Sequence, residues 1–434
     1  MKRRIVMSIL SAMLIASLVA CGSNNSSTDS ASESTTETTE AAQVEGVASE
    51  SVEASTEYNV LTIKTDWEEA ATITFSESGM TIDGTGASDE DGVLYITEGG
   101  AYTLTGTSSA CSIVINTEDN VKLILNGVDL TSTNGPVIYG AQVKNLYIEL
   151  AEGTENTLTD SSEYATDSET GEEIGKGVIS CEDDIIVLGE GTLNITANHK
   201  HGITSDDKIY IEAGTINITS NGTDGINAND LVCIDGGNID ITSVSDLIES
   251  EDMFVITGGT ITGNSEDEGI EAKGNLYING GSINITAVDD GLNAGNYIEI
   301  NDGEVTVTST NGDAIDSNGN YDGCITINGG TINATGADVP EGGLDADQAS
   351  VIINGGTVTA SGGTNSPITE NGGEVNITGD TNAGMGQGGP GMGGGRGQMP
   401  EGELPEDFDG TKPQMNGGGP RGQMQQDTSE ESTN

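Results

Sequence analysis

Residues 280–301 read GGSINITAVDDGLNAGNYIEIN, and their alternation decides the fold. Ile283 and Ile285 share one side of a period-two segment, Leu292 and Ala294 share one side of a second, and Ile298 and Ile300 share one side of a third. Gly, Asn and Asp separate the three segments, as tight turns require. The same grammar recurs along the chain: Gly214, Gly237, Gly259, Gly281 and Gly303 fall 23, 22, 22 and 22 residues apart, and Gly330 and Gly356 follow at 27 and 26. A unit this short cannot bury its apolar side alone, so successive units must stack. The sequence therefore predicts an all-β chain, a single-stranded parallel β-helix of about 22 residues per rung. Its core would be a column of Ile, Val, Leu and Ala from successive rungs. A β-sandwich or propeller needs longer units with hairpin turns, and no segment carries a helical period. Tyr58 to about Gly175 has the same strand chemistry with looser spacing, which predicts the first rungs and a cap of the same domain.

Both ends of the chain differ from this pattern. MKRR, an apolar run from Ile5 to Val19 and then LVAC have the form of an export signal ending in a lipoprotein cysteine. Residues 1–20 are the predicted signal peptide, Cys21 the predicted lipidated residue, and the outer face of a bacterial cell membrane the predicted location. The membrane would then be met through the lipid anchor only. Residues 21–57 are rich in Ser, Thr and Glu and read as a disordered linker, and residues 382–434 as a disordered tail of Gly, Met, Pro and Gln. The β-helix is expected over 58–381, as a monomer. The formal charge is 13 − 71 = −58, and between Lys208 and Arg396 the only basic residue is Lys273. No basic patch exists there to hold nucleic acid directly, so nucleic acid is not an expected partner. The remaining cysteines, Cys111, Cys181, Cys233 and Cys324, show no metal or disulfide spacing and read mostly as small buried residues, with one disulfide left open.

Stacking the repeats aligns their acids. Asp224, Asp246, Glu268, Asp290 and Asp313 form one column; Asn227, Glu249, Glu271, Asn293 and Asp316 form a second; Asp183, Asp207, Asp230 and Asp252 form a third, with Asp206 beside it. At a rung spacing of about 4.8 Å, two bare carboxylates repel by roughly 0.9 kcal/mol in water and about 3.5 at an effective dielectric of 20. Raised pKa values would relieve that repulsion by giving up charge, whereas a hard divalent cation relieves it without that loss. With Ca to oxygen distances of about 2.3 to 2.6 Å, one ion spans two rungs, so Ca2+ is the expected cofactor. Candidate ligands are Asp206, Asp207, Asp224, Asn227, Asp230, Asp246, Glu249, Asp267, Asp289, Asp290, Asn293, Asp313 and Asp316. The glycine after many of these acids is expected to let the backbone turn tightly around the ion. The bland alternative is a set of solvated turn residues.

The outward positions of the first strand form a ladder of hydroxyls and amides, Thr192, Asn194 and Thr196, then Thr215, Asn217 and Thr219, suited to a sugar chain or to solvent. Tyr210 and Tyr277 share an outward column of the third strand and are the candidate carbohydrate-stacking residues. His199 and His201 read as surface turn residues.

VKLILNGVDLTSTNGPVIYGAQVKNLYIELAEGTENTLTD (121–160) and GVISCEDDIIVLGEGTLNITANHKHGITSDDKIYI (177–211) resemble the bacterial carbohydrate-binding β-helix family of clostridial surface lipoproteins. That family is calcium-binding and similar in fold to family 9 polysaccharide lyases. The resemblance implies a right-handed helix, bound calcium and plant cell-wall polysaccharide as ligand. It further implies a calcium cluster at Asp289, Asp290 and Asn293 with Asp267 one rung earlier, where Asn293 departs from the aspartate of the lyases. Lyase chemistry also needs a Lys or Arg base, and none lies between Asp289 and Gly395. Lys273, nearest in sequence, is expected to form an ion pair with Glu251 and Glu271, and no catalytic residue is assigned. The expected function is binding of acidic pectic glycan, with neutral glucan possible. The alternatives are a calcium-stiffened adhesin and a calcium-dependent pectate lyase.

Overall fold

The computed structural model describes residues 62–379, apart from 169, 339, 340, 348 and 365. The predicted signal peptide, Cys21, the linker and the C-terminal tail lie outside the described residues. Within them the chain is strand and turn without a helix, wound into a parallel β-solenoid of about 12 turns of about 23 residues. The rung that opened the sequence reading folds as three strands, Ser282–Ala287, Leu292–Ala294 and Tyr297–Ile300. Each pairs in parallel with its counterparts one rung before and after, which gives three ladders.

The core follows from the alternation. Ile216, Ile239, Ile261, Ile283, Val305, Ile332 and Val358 of the first ladder are buried inside the coil, as are Ile226, Ile248, Ile270, Leu292 and Ile315 of the second. Two antiparallel hairpins begin the described fold, Glu69–Ser76 with Gly79–Gly84 and Ala87–Glu90 with Val93–Ile96, and parallel stacking starts from them. Asn120–Thr131 is one 12-residue strand that pairs with the third ladder through its first half and with the first ladder through its second. Its corner is held by Asn156, whose Oδ1 accepts from the backbone N–H groups of Gly127 at 2.9 Å and Val128 at 3.1 Å.

Turns are fixed by glycine for two distinct reasons. Gly259 has φ +78°, and a Cβ there would come within 2.7 Å of the Gly236 backbone one rung below. The glycines that follow the acids differ from expectation, because Gly225, Gly269 and Gly291 have no positive φ. They are excluded from bearing a side chain by a neighbour instead: a Cβ on Gly225 would sit 2.4 Å from Ile241 Cγ2, and one on Gly291 2.0 Å from Val307 Cγ1. Cys111, Cys181, Cys233 and Cys324 are buried and free.

Candidate functional site

The second ladder carries one outward-facing column along the solenoid. Register runs Tyr95, Val114, Tyr139, Ser180, Thr204, Asn227, Glu249, Glu271, Asn293, Asp316 and on to Asp345. The acidic column in the preceding turn is equally well registered, since Gly225 N–H bonds to Asp246 O, Gly269 N–H to Asp290 O and Gly291 N–H to Asp313 O. These two columns run side by side and bring carboxylates together. Among the described residues, two groups of three carboxylates place one oxygen each within 4.8 Å of the others: Asp224, Asp246 and Glu249, and Asp246, Asp267 and Glu268. Asp246 belongs to both.

The first group is oriented by its neighbours. His201 Nδ1 lies 3.0 Å from Asp224 Oδ2, and Asn227 Nδ2 donates to Glu249 Oε2 at 2.7 Å and to Asp224 Oδ2 at 3.3 Å. Burial works against the Asp224 carboxylate, but the hydrogen bond and charge of His201, followed by hydrogen bonding with Ser245 and Glu249, outweigh it and hold its pKa below the usual range. Asp246 goes the other way: burial first, then its contact with Glu268 and the charge of Asp224, push it up to about 10. Glu268 is pushed up to about 6, again with burial first. Thus the group is too crowded to carry its full charge on its own. His201 is therefore a positioning neighbour of Asp224 rather than a free turn residue.

Lys273 is tied to this edge. Its Nζ pairs with Glu249 Oε1 at 3.0 Å and with Glu271, not with Glu251, because Glu249 and Glu271 are ladder partners facing the same way. Burial opposes the ammonium, yet the two carboxylates raise its pKa above the ordinary lysine value.

A second acidic group lies further along. Asp290, Asp313 and Asp316 are pushed up to about 6, 9 and 8, burial being the largest cause in each and neighbouring carboxylates the next. Asp345 adds charge to all three; the sequence reading missed it because the longer repeat of 27 residues hid its register. Here backbone amides already use carboxylate oxygens: Asp290 Oδ1 accepts from Asp313 N–H at 2.7 Å and Asp313 Oδ1 from Gly342 N–H at 2.5 Å. Asn293 donates to Asp290 Oδ2 at 3.3 Å. Asp289 stacks on Asp267 through its N–H to Asp267 O bond, so Asp267 touches both acidic groups. The third column is present as well: Asp230 N–H bonds to Asp207 O, and burial followed by Asp230 and Asp183 raises the Asp207 pKa. Asp206 belongs to neither triad; it pairs with Lys176 at 2.6 Å and meets the Glu182 carboxyl.

The aromatic residues sort differently from expectation. Tyr210 keeps its place in the register but is 3% exposed, so it offers no open ring face. Tyr277 instead begins a strip: its ring lies 6.2 Å from that of Tyr297, which stacks at 6.3 Å and 22° on Tyr321. Tyr321, 49% exposed, ends the strip at the surface. Tyr297 pairs with Asn275, two residues before Tyr277, and Tyr321 lies in the turn just before its strand, so column alignment alone did not reveal them.

Hard oxygen donors on two adjacent columns, spaced at about the 4.6 to 5.2 Å that one calcium ion bridges, fit that cation. Comparison with known proteins gives the context. A family model described as "Carbohydrate-binding domain-containing protein" matches residues 90–286 and 252–388. A protein of that description from Acetivibrio thermocellus is 33% identical over 124 residues, 28% of this chain and 42% of the relative. The chain thus matches about two fifths of that relative's length. A solved structure, "polysaccharide lyase-like protein from C. thermocellum, Gadolinium derivative", superposes with a TM-score of 0.52 at 30% identity, covering 53% of this chain and 96% of the other.

Proposed function

The chain belongs to the carbohydrate-binding domain family, and from that premise we propose that it holds acidic plant cell-wall polysaccharide at the cell surface through calcium seated on the carboxylate columns. The observation that carries this reading is the pair of carboxylate triads sharing Asp246. A polyanionic glycan and an edge of bare carboxylates repel, so the two can meet only with a cation between them. The gadolinium derivative of the structural neighbour supports the choice of a hard cation, since a lanthanide ion seeks the same oxygen ligands as calcium.

In this mechanism Asp224, Asp246 and Glu249, or Asp246, Asp267 and Glu268, would hold the ion, and Asn227 and His201 fix the rotamers of Glu249 and Asp224. When bound, the ion would supply the positive charge that a uronate carboxylate recognises. The Tyr277, Tyr297 and Tyr321 strip offers ring faces for sugar C–H groups. Lys273 holds its proton between Glu249 and Glu271, which suits a structural ion pair and not the base that would abstract a sugar proton. The reading is therefore binding rather than cleavage. A lipid on Cys21 would anchor the protein outside the membrane.

The test is affinity electrophoresis in polygalacturonate with calcium and with chelator, read beside the thermal midpoint. Retention and midpoint should both fall in chelator. A midpoint that falls with no retention in either buffer would favour the calcium-stiffened adhesin, and ultraviolet-absorbing unsaturated product would establish a lyase.

A further inference from the structure

Far from the carboxylate triads, the first rungs carry a second concave surface. The chain passes from Glu155–Thr159 of the first ladder to Gly177–Cys181 of the second by a 17-residue excursion, where the next six rungs use three to five residues. Connections of that length in a compact domain are uncommon and usually functional. The excursion is pinned at several points. Thr166 and Glu173 form an antiparallel bridge, and Glu173 pairs with Lys200 at 2.5 Å and with His199 at 3.1 Å. Tyr164 donates to Asp160 at 2.7 Å and packs its ring 4.5 Å from that of His199. Gly175 lies so close to Pro136 that a Cβ would come within 2.5 Å of Pro136 Cγ.

Between this wall and the second ladder is a cleft of ≈ 580 Å³, within the range of small-ligand sites. Its floor is the start of the outward column, Tyr95, Val114 and Tyr139 on three consecutive rungs. Two rungs separate the tyrosines, roughly 9.6 Å, close to the repeat of a β-1,4-linked disaccharide. Val114 between them is smaller, leaving room over the middle rung. The Tyr139 ring is held in place, because its hydroxyl donates to Glu182 Oε1 at 2.9 Å. At the rim Lys176 pairs with Asp206.

We propose that this cleft binds a neutral β-1,4-linked oligosaccharide lying along the solenoid axis, with alternate sugars stacked on Tyr95 and Tyr139 and their hydroxyls donating to Glu182 and Asp206. The charge decides between ligand types: five carboxylates line the cleft against one lysine, so an anionic glycan is repelled and an acceptor-rich wall faces a polyol. The inference rests on carbohydrate as the ligand class but needs no metal, which separates it from the calcium-bridged site.

The experiment is calorimetric titration of the full chain, in chelator, with hexasaccharides of β-1,4-linked glucose, xylose and mannose, and with a glucosamine hexasaccharide as the cationic comparator. At least one neutral sugar should bind, with affinity unchanged by calcium and lowered at least tenfold in Tyr139→Ala and in Tyr95→Ala. Tyr139→Phe keeps the ring and should stay within about threefold. Ligand-observed NMR on the unaltered chain should show ring-current shifts of sugar C–H protons, a readout independent of whether the alanine variants fold. Absence of binding by every neutral hexasaccharide, binding of the cationic one alone, or full affinity in both alanine variants would overturn the proposal. Chelator-resistant loss here leaves the polygalacturonate result untouched, so the two readings fail separately.

Discussion

At Leu247 the chain breaks its own rule and shows how the rule works. The column residues His201, Asp224, Glu268 and Asp290 are followed by Gly202, Gly225, Gly269 and Gly291, and a Cβ on each would meet the side chain 16 residues later, Ile218, Ile241, Ile285 or Val307; Asp313 is followed by Ala314. At the rung that carries Leu247, position 263 is glycine, and a Cβ on Gly263 would lie 3.0 Å from Leu247 Cδ1 and 2.3 Å from the Ile241 carbonyl oxygen. In these five rungs one large side chain fills the junction, supplied from either side. Leu247→Gly should therefore cost roughly 3–5 kcal/mol through the cavity it leaves. Gly263→Ile alone should cost about 1–3 kcal/mol or more through overpacking. Leu247→Gly removes only one of the two clashes, since the Ile241 carbonyl stays in place, so the double variant should recover part of the loss and a double-mutant cycle followed by urea unfolding should give a favourable coupling of about 0.5–2 kcal/mol. Additive losses would show that the two residues do not share the space. The glycines were legible in the sequence, but their reason was not, because the contact joins residues on different rungs.

Among the elements, the ladders that end each third strand bear the clearest repeated bond. Asn301 donates to Asn279, Asn328 to Asn301, Asn354 to Asn328 and Asn371 to Asn354, each through Nδ2 to Oδ1 at 2.8 Å. Every interior amide both gives and receives one bond along the row, and its second N–H and lone pair face solvent or a side neighbour such as Glu299. Asn328→Ala removes a donor and an acceptor together with the 3.1 Å bond to Glu299, and should cost about 1–3 kcal/mol. Asn371→Ala, at the end of the row, should cost about 0.5–1.5. Thermal unfolding of the two variants measures the difference, and equal losses would mean that the row is not a cooperative element. The Thr and Asn ladder of the first strand behaves similarly in register, with Thr192, Asn194 and Thr196 opposite Thr215, Asn217 and Thr219. Strand alternation predicted the Thr and Asn ladder of the first strand, whereas the asparagine row was not anticipated, because it lies in the turns just past the alternating segments.

For the whole molecule, the formal charge is −58, and the fold raises the pKa of several carboxyls that it buries. Asp246, Asp313 and Asp316, at about 10, 9 and 8, hold protons more tightly in the folded chain than at the ordinary value of 3.8. A raised folded pKa contributes stability that is complete below the unfolded pKa and is lost as pH rises through the folded one. Free of cations, the protein should therefore lose stability from about pH 4 toward pH 10, by up to about 1.4 kcal/mol per pH unit for each proton still held only by the folded state. Melting in chelator at pH 5 and pH 8 should give the lower midpoint at pH 8. Calcium at 100 times its dissociation constant should return about 2.7 kcal/mol there. A midpoint in chelator that rises with pH would contradict the linkage.

The sequence by itself determined the solenoid, its three strands per rung, the inward residues and the register of the acidic columns. All of these follow from periodicity, and a repeat stacked on itself has one way to align. What only the tertiary structure decided lies where the period breaks or where two columns meet. Asp246 joining two triads, Lys273 choosing Glu249 over Glu251, Tyr210 losing its exposed face and Tyr297 taking its place beside Tyr277 all depend on side-chain direction across turns. The excursion beside Tyr95 and Tyr139 is the same case: its sequence carries no repeat, so its position over the ladder is fixed by pairing with His199, Lys200 and Pro136, which lie elsewhere along the chain.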